Sequence, residues 1–126
     1  MAASPPTDDA TAPGPALTGA DRRHLRRLAH GLDPVVQVGA AGATPGVVAA
    51  LERALADHEL VKLRIAAARD ARRALAGVLA SGTRSAVAGL VGHVAVLYRP
   101  ARDPERRRIA LPSSGRAALR GEGRDA

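Results

Sequence analysis

"PVVQVGAAGATPGVVAALERALADHELVKLRIA", residues 34–66, decides the architecture of this chain. It opens on PVVQV (34–38), an apolar run of strand length. It closes on LVKLRIA (60–66), where Val61, Leu63 and Ile65 alternate with Lys62 and Arg64. That period of two is a strand with two distinct faces. Between them, Thr44 supplies an N-cap and Pro45 a first helical residue. Val47, Val48, Leu51, Ala54 and Leu55 then form the inner face of a helix. Strand, helix, strand in this order implies a parallel crossover. At the first join stands Gly39-Ala40-Ala41-Gly42. Two glycines there serve either a sharp turn or the close approach of backbone to an anion. Helix N-terminal amides carry partial positive charge and suit phosphate, but a tight strand-to-helix turn would use the same residues.

Working outward, Thr18 with Asp21 three residues on resembles a capping box, with Asp replacing the usual Glu. Leu25, Leu28, Ala29 and Leu32 then predict the inner stripe of a first helix, which Gly31 is expected to stop. Downstream, Asp70 is the expected cap of a third helix. Ala71, Ala74, Leu75, Val78 and Leu79 are expected to point inward there, and Gly82 to end it. AVAGLV (86–91) and VAVLY (94–98) flank Gly92-His93, a hairpin signal of the Gly-X kind. The predicted class is α/β, a compact α-β-α-β-α-β-β domain with a mixed four-stranded sheet and packed helices. Residues 1–16 lack periodicity and are expected to form a disordered tail, as are residues 113–126. The folded domain is expected over residues 17–112.

Composition narrows the function. Apolar residues make up 46% of the 126, yet aromatics are only 1% and Tyr98 is the sole one. Leu, Val and Ala must do the packing. Cysteine is absent, which excludes disulfides, thiolate catalysis and cysteine-based metal sites. The start, MAASPPTDDATAPGP, lacks the cationic and apolar regions of a secretory signal. No apolar stretch has membrane-spanning length, so a soluble cytoplasmic protein is expected. Net charge is +7, and Lys62 is the only lysine among 19 basic residues. The first 17 residues carry only Asp8 and Asp9, and residues 113–126 carry three arginines against Glu122 and Asp125. The positive excess therefore sits on the folded part. A domain that basic points to an anionic partner, most often nucleic acid. A GC-rich genome explains arginine in place of lysine better than it explains the excess charge.

The first helix concentrates that charge. With Arg22 at zero and a step of about 100° per residue, Arg26, Arg23 and Arg27 fall near 40°, 100° and 140°. The leucines lie on the opposite side. Each guanidinium can make a bidentate contact with phosphate. The alternative is a solvated face, but like charges at i, i+3 and i, i+4 repel, and Asp21 is the only nearby acid. Lys62 and Arg64 are weaker candidates on one face of the second strand. Arg106, Arg107 and Arg108 add either electrostatic affinity or a solvated charge run. His24, His30 and His93 show no metal-ligand spacing. His58-Glu59 reads as a structural corner, since adjacent helical residues do not face each other. No nucleophile-base pair, metal cluster or nucleotide-binding loop is visible, so no enzymatic activity, cofactor or small-molecule substrate is expected. Without an aromatic in the loop or first helix, base stacking is not expected to matter, and recognition of a nucleic acid should lean on phosphate and shape.

These motifs together resemble a known family. LTGADRRHLRRLAHGLDPVVQVGAAGATPGVVAALERALADHELVKLRI (17–65) is similar to the start of a CRM domain, the RNA-binding module of chloroplast splicing factors. The bacterial stand-alone form is the YhbY-like protein linked to ribosome maturation. The likeness continues through GLVGHVAVLYRP (89–100) to RRRIALP (106–112). It implies a fold like the C-terminal domain of translation initiation factor three. It also implies RNA binding through the first helix and the Gly-x-x-Gly loop. One departure stands out: many such loops carry a polar or basic side chain between the glycines, whereas Ala40 and Ala41 occupy those places here. Contact at the loop must then come from backbone amides or neighbours. The expected function is binding of structured ribosomal RNA in support of large-subunit maturation, by a protein expected to be monomeric. The alternative is an adaptor that docks on ribosomal proteins with no direct RNA role.

Overall fold

The computed structural model describes residues 14–113. Helix α1 (Gly19–Ala29) leads into strand β1 (Pro34–Val38), helix α2 (Pro45–His58), strand β2 (Leu60–Ile65) and helix α3 (Arg69–Thr83). Strands β3 (Ala86–Val91) and β4 (Val94–Tyr98) follow, then a single 3-10 turn at Pro104–Arg106. The sheet order is β1-β2-β4-β3. Strands β1 and β2 are parallel, as the crossover requires, and the other two pairs are antiparallel. The element order and mixed sheet expected from sequence are those observed. Gly92 turns the closing hairpin at φ +57°, with Val91 paired to Val94.

The sheet is covered on both faces. On one side α2 and α3 bury Val36, Val38, Leu51, Leu55, Leu63 and Leu97 with their neighbours. On the other, α1 and the C-terminal segment bury Leu25, Ala29, Leu60, Ala88, Val96, Tyr98 and Leu111. Strand β2 therefore contributes to both layers: Val61, Leu63 and Ile65 point to α2 and α3, and Leu60 points to α1. At about 25 cal/mol per Å² of apolar surface, these two layers supply the main driving force for folding.

The helices depart from expectation in four places. Helix α1 ends at Ala29 with His30 as its C-cap, so Gly31 follows the cap as expected, but Leu28 and Leu32 remain exposed rather than completing the inner stripe. Ala68 occupies the N-cap of α3 with no side-chain bond, while Asp70 sits inside the first turn. There its charge still favours the helix dipole. The buried face of α3 is Ala76, Leu79, Ala80 and Thr83, with Leu75 packed at its margin. Ala71 and Ala74 face solvent, and Val78 is 56% exposed. Gly82 does not end the helix: it continues through Thr83, and Arg84 takes the left-handed conformation at φ +58°.

Two buried carboxylates tie down the chain ends. The capping box forms, with Thr18 Oγ1 accepting from the Asp21 amide at 3.0 Å and the Thr18 amide donating to Asp21 Oδ2 at 3.1 Å. Asp21 also accepts from the Ser113 amide at 2.9 Å and its hydroxyl at 2.6 Å. Ser113, assigned by sequence to the tail, is thus bound to the domain. Glu59, at φ +65°, accepts from the amides of Ala101, Arg108 and Ile109 at 2.7, 2.9 and 3.2 Å. The expected corner at His58-Glu59 is an anchor for the segment after β4. Nearby, Arg99 donates to Glu52 Oε1 at 2.7 Å and to the Thr83 carbonyl at 2.9 Å, joining the middle of α2 to the C-terminal end of α3. Of the tails expected over residues 1–16 and 113–126, residues 1–13 and 114–126 lie outside the described residues, while Gly14 packs against Ser85.

Candidate nucleic-acid interface

The four arginines of α1 separate into two kinds. Arg22, Arg23 and Arg27 are exposed, and among the described residues none has an ion-pair partner. Arg26 is half-buried and lies across strand β3. Its Nη1 donates to the Ala88 carbonyl at 3.2 Å. A Cβ built on Gly89 would stand 2.6 Å from Arg26 Cδ, so only glycine leaves room for that side chain. The pairing of β3 with β4 shifts between Val87 and Gly89, and Arg26 bonds the carbonyl inside that irregularity. Arg26 is therefore a structural strap as well as a charge. Gly89 in the strand was the sequence signal for this close approach.

The Gly39–Gly42 loop is a turn closed by the Gly42 amide donating to the Gly39 carbonyl at 3.0 Å. Gly42 has φ +75°, and its missing Cβ would stand 3.4 Å from Leu75 of α3. The steric explanation thus holds at Gly42. It does not hold at Gly39, which has no positive φ and nothing within 4 Å of where a Cβ would be. Thr44 caps α2 by accepting from the Val47 amide at 3.1 Å. Ala40 and Ala41 are exposed, and their amides take no partner among the described residues.

Lys62 and Arg64 share the sheet face that α1 covers, because they alternate with residues of the opposite core. Lys62 is half-buried and Arg64 exposed, with Gln37 of β1 paired to Arg64. The loop, by contrast, packs on the layer of α2 and α3. The structure does not gather all ten candidates into one patch: α1 with Lys62 and Arg64 lies on one side of the sheet, and the loop sits at its edge towards the other. No group of three or more metal-ligating side chains occurs among the described residues. No helix there is long and apolar enough to cross a membrane.

Two titrating groups near α1 are perturbed. Burial works to raise the Asp21 pKa, but hydrogen bonds from Ser113 and Thr18 outweigh it and hold the carboxyl below its ordinary value. Burial, with the charge of Glu59, pushes Tyr98 up to about 12, so its phenol stays neutral. Sequence reading missed the arginines of α3: Arg69, Arg72 and Arg73 line a cleft against β3 with Val87, Leu90 and Gly92.

This basic α/β domain, with a glycine loop before its second helix, matches the CRS1/YhbY (CRM) domain over residues 17–99. The chain belongs to that family. A Haemophilus influenzae RNA-binding protein is 39% identical over 97 residues, covering 76% of this chain and 95% of its own length. A Pseudomonas aeruginosa protein named a probable RNA-binding protein is 45% identical over 85 residues, covering 67% and 82% respectively. The solution structure of a hypothetical Staphylococcus aureus protein proposed to bind RNA superposes with a TM-score of 0.69 at 33% identity, covering 77% of this chain and all of that one.

Proposed function

We propose that this protein binds structured ribosomal RNA in the cytoplasm and assists maturation of the large ribosomal subunit, without catalysing a reaction. The observation that carries the reading is α1: Arg22, Arg23 and Arg27 stand exposed with no acidic partner among the described residues. A surface selected for stability would pair such charges. Family membership supports RNA as the partner, since relatives in it are named RNA-binding proteins. The loop adds to it. Gly39 has no steric reason to be glycine, and the Ala40 and Ala41 amides are open to a phosphate oxygen. Lys62 and Arg64 extend the positive surface beside α1. Affinity should come from phosphate contacts and be strongly salt-dependent.

Titration of large-subunit ribosomal RNA fragments at several salt concentrations tests this, with co-sedimentation on ribosomal particles testing the target. Absence of binding at low salt, or affinity unchanged as salt rises, would sink it. Ala41→Asp tests the loop: it sets a negative charge beside the open amides while Gly39 and Gly42 keep the turn. Weaker RNA binding with an unchanged melting temperature is expected. A second reading, docking on a ribosomal protein, has one observation in its favour. Leu28, Leu32 and Val35 are exposed along a groove of about 640 Å³ that also includes Ile109 and Lys62. Salt-insensitive capture of a ribosomal protein without RNA would select it.

A further inference from the structure

The proposed RNA surface covers α1 and the loop, but the arginines extend beyond it. Strand β3 is an edge of the sheet, and arginines flank both of its faces. On the α1 side, Arg26 lies over Gly89, and Arg22 lines a shallow groove with Ala86 and Val87. On the opposite side, Arg69, Arg72 and Arg73 of α3 line a cleft of about 430 Å³ whose other walls are Ala76, Gly77, Val87, Leu90 and Gly92. We infer that this cleft between α3 and β3 binds a backbone phosphate of the same RNA, which reaches it by crossing the β3 edge from α1.

Charge and space both support this. Arg69 and Arg73 are exposed one helical turn apart, and neither has an ion-pair partner among the described residues. Like charges so placed repel one another unless an anion comes between them. Asp70 is the only acid on that stretch of α3, and its carboxylate bonds neither arginine. Arg72 is held in place by the fold. Its Nη1 donates to the Ala67 carbonyl at 2.8 Å and lies 3.3 Å from His93 Nδ1 of the hairpin. Its Nε is buried with no hydrogen-bond partner, and no carboxylate among the described residues pairs with the guanidinium. A fixed guanidinium without a counter-charge, flanked by two exposed ones, is suited to a tetrahedral oxyanion. The walls leave room. Gly77 and Gly92 present no side chain, and nothing lies within 4 Å of where a Cβ would be on either.

The inference rests on the RNA-binding reading and is separable from it. Gly77 offers the sharpest probe, because open space accepts a side chain there and most residues suit a helix better than glycine. Gly77→Glu places a negative charge in the cleft, and Gly77→Gln adds the same bulk without charge. A labelled hairpin from large-subunit ribosomal RNA is titrated against the parent, both Gly77 variants, Arg69→Gln with Arg73→Gln, and Arg22→Gln with Arg23→Gln and Arg27→Gln. Thermal melts confirm folding. For the Arg69 and Arg73 pair, affinity should fall and the slope of log affinity against log salt should shrink by roughly 0.7–0.9 for each phosphate no longer neutralised. The loss for Gly77→Glu should clearly exceed that for Gly77→Gln and should narrow at high salt. Should the α1 variant bind weakly while the α3 pair and Gly77→Glu match the parent, the cleft is overturned and the RNA reading stands. Equal losses for Glu and Gln at residue 77 would overturn the electrostatic role. A parent that binds no RNA overturns both.

Discussion

Beneath α2 and α3 the sheet meets a layer built from aliphatic side chains, with Leu51, Leu55, Leu63, Ile65 and Leu79 all fully buried. Beneath α1 the apolar cluster is smaller, and the chain that completes it is fastened by carboxylates. Asp21 holds Ser113, and Glu59 holds Ala101, Arg108 and Ile109. The first layer forms between elements joined by short connections. The second needs hydrogen bonds between residues 42 to 92 positions apart in the chain. A chain with one aromatic cannot fill both faces with large side chains, and buried hydrogen-bonded carboxylates complete the second one.

Truncation on the aliphatic side should have the largest effect. Leu63→Ala removes a fully buried side chain from the central strand β2 and should cost about 2–5 kcal/mol of unfolding free energy by chemical denaturation. A loss below about 1 kcal/mol would mean that the layer is not closely packed. On the α1 side, Glu59→Ala leaves three backbone amides without their acceptor and should cost about 2–3 kcal/mol. Hydrogen exchange should then rise first around residues 99–111, whereas Leu63→Ala should raise it throughout the sheet.

Asp21 gives the comparison a pH axis. Its folded pKa lies below the ordinary carboxylate value of 3.8. A depressed value means that its stabilisation is complete above the unfolded pKa and is lost as pH falls through the folded one. Asp21→Asn should cost about 1–2 kcal/mol near neutral pH. The gap from the parent should close progressively as pH drops below about 4. A gap that stays constant with pH would show that the charge on Asp21 contributes nothing to the Ser113 clasp.

The sequence was legible where structure is local. The strand, Thr44-Pro45 cap, helix and second strand over residues 34–66 follow from neighbours in the chain, and the Gly92-His93 hairpin does too. The inner face of α3 was read correctly at Leu75 and Leu79 but misread elsewhere because alanines lie all around it: Ala71, Ala74, Ala76 and Ala80 give no stripe to choose. Asp70 looked like a cap because capping and first-turn charge favour the same residue type. At the interface, helical periodicity placed four arginines on one side of α1. It could not show that Arg26 would be taken up by Gly89, which lies 63 residues away. The α3 cleft was hidden too, since helical periodicity cannot show that Arg69, Arg72 and Arg73 lie beside Val87, Leu90 and Gly92 of the hairpin that follows.

The split within the α1 arginines supports the smallest and most discriminating prediction. Arg26→Gln loses the bond to the Ala88 carbonyl and uncovers Gly89, so stability should fall by about 1 kcal/mol. Arg23→Gln with Arg27→Gln disturbs no such bond. Its effect on stability should stay within about 0.5 kcal/mol, and relief of repulsion can make it favourable. RNA affinity should move the other way. The exposed pair is free to meet phosphate, so its removal should weaken binding at low salt and lower the salt slope by roughly 0.7–0.9 per phosphate released. Arg26 has one donor already engaged with the protein and should weaken binding less than the pair does. Denaturant melts and RNA titrations on the same preparations read both quantities. If Arg26→Gln lowers affinity more than the pair without lowering stability, the strap across β3 is not what holds Arg26 in place, and its charge belongs with the free arginines after all.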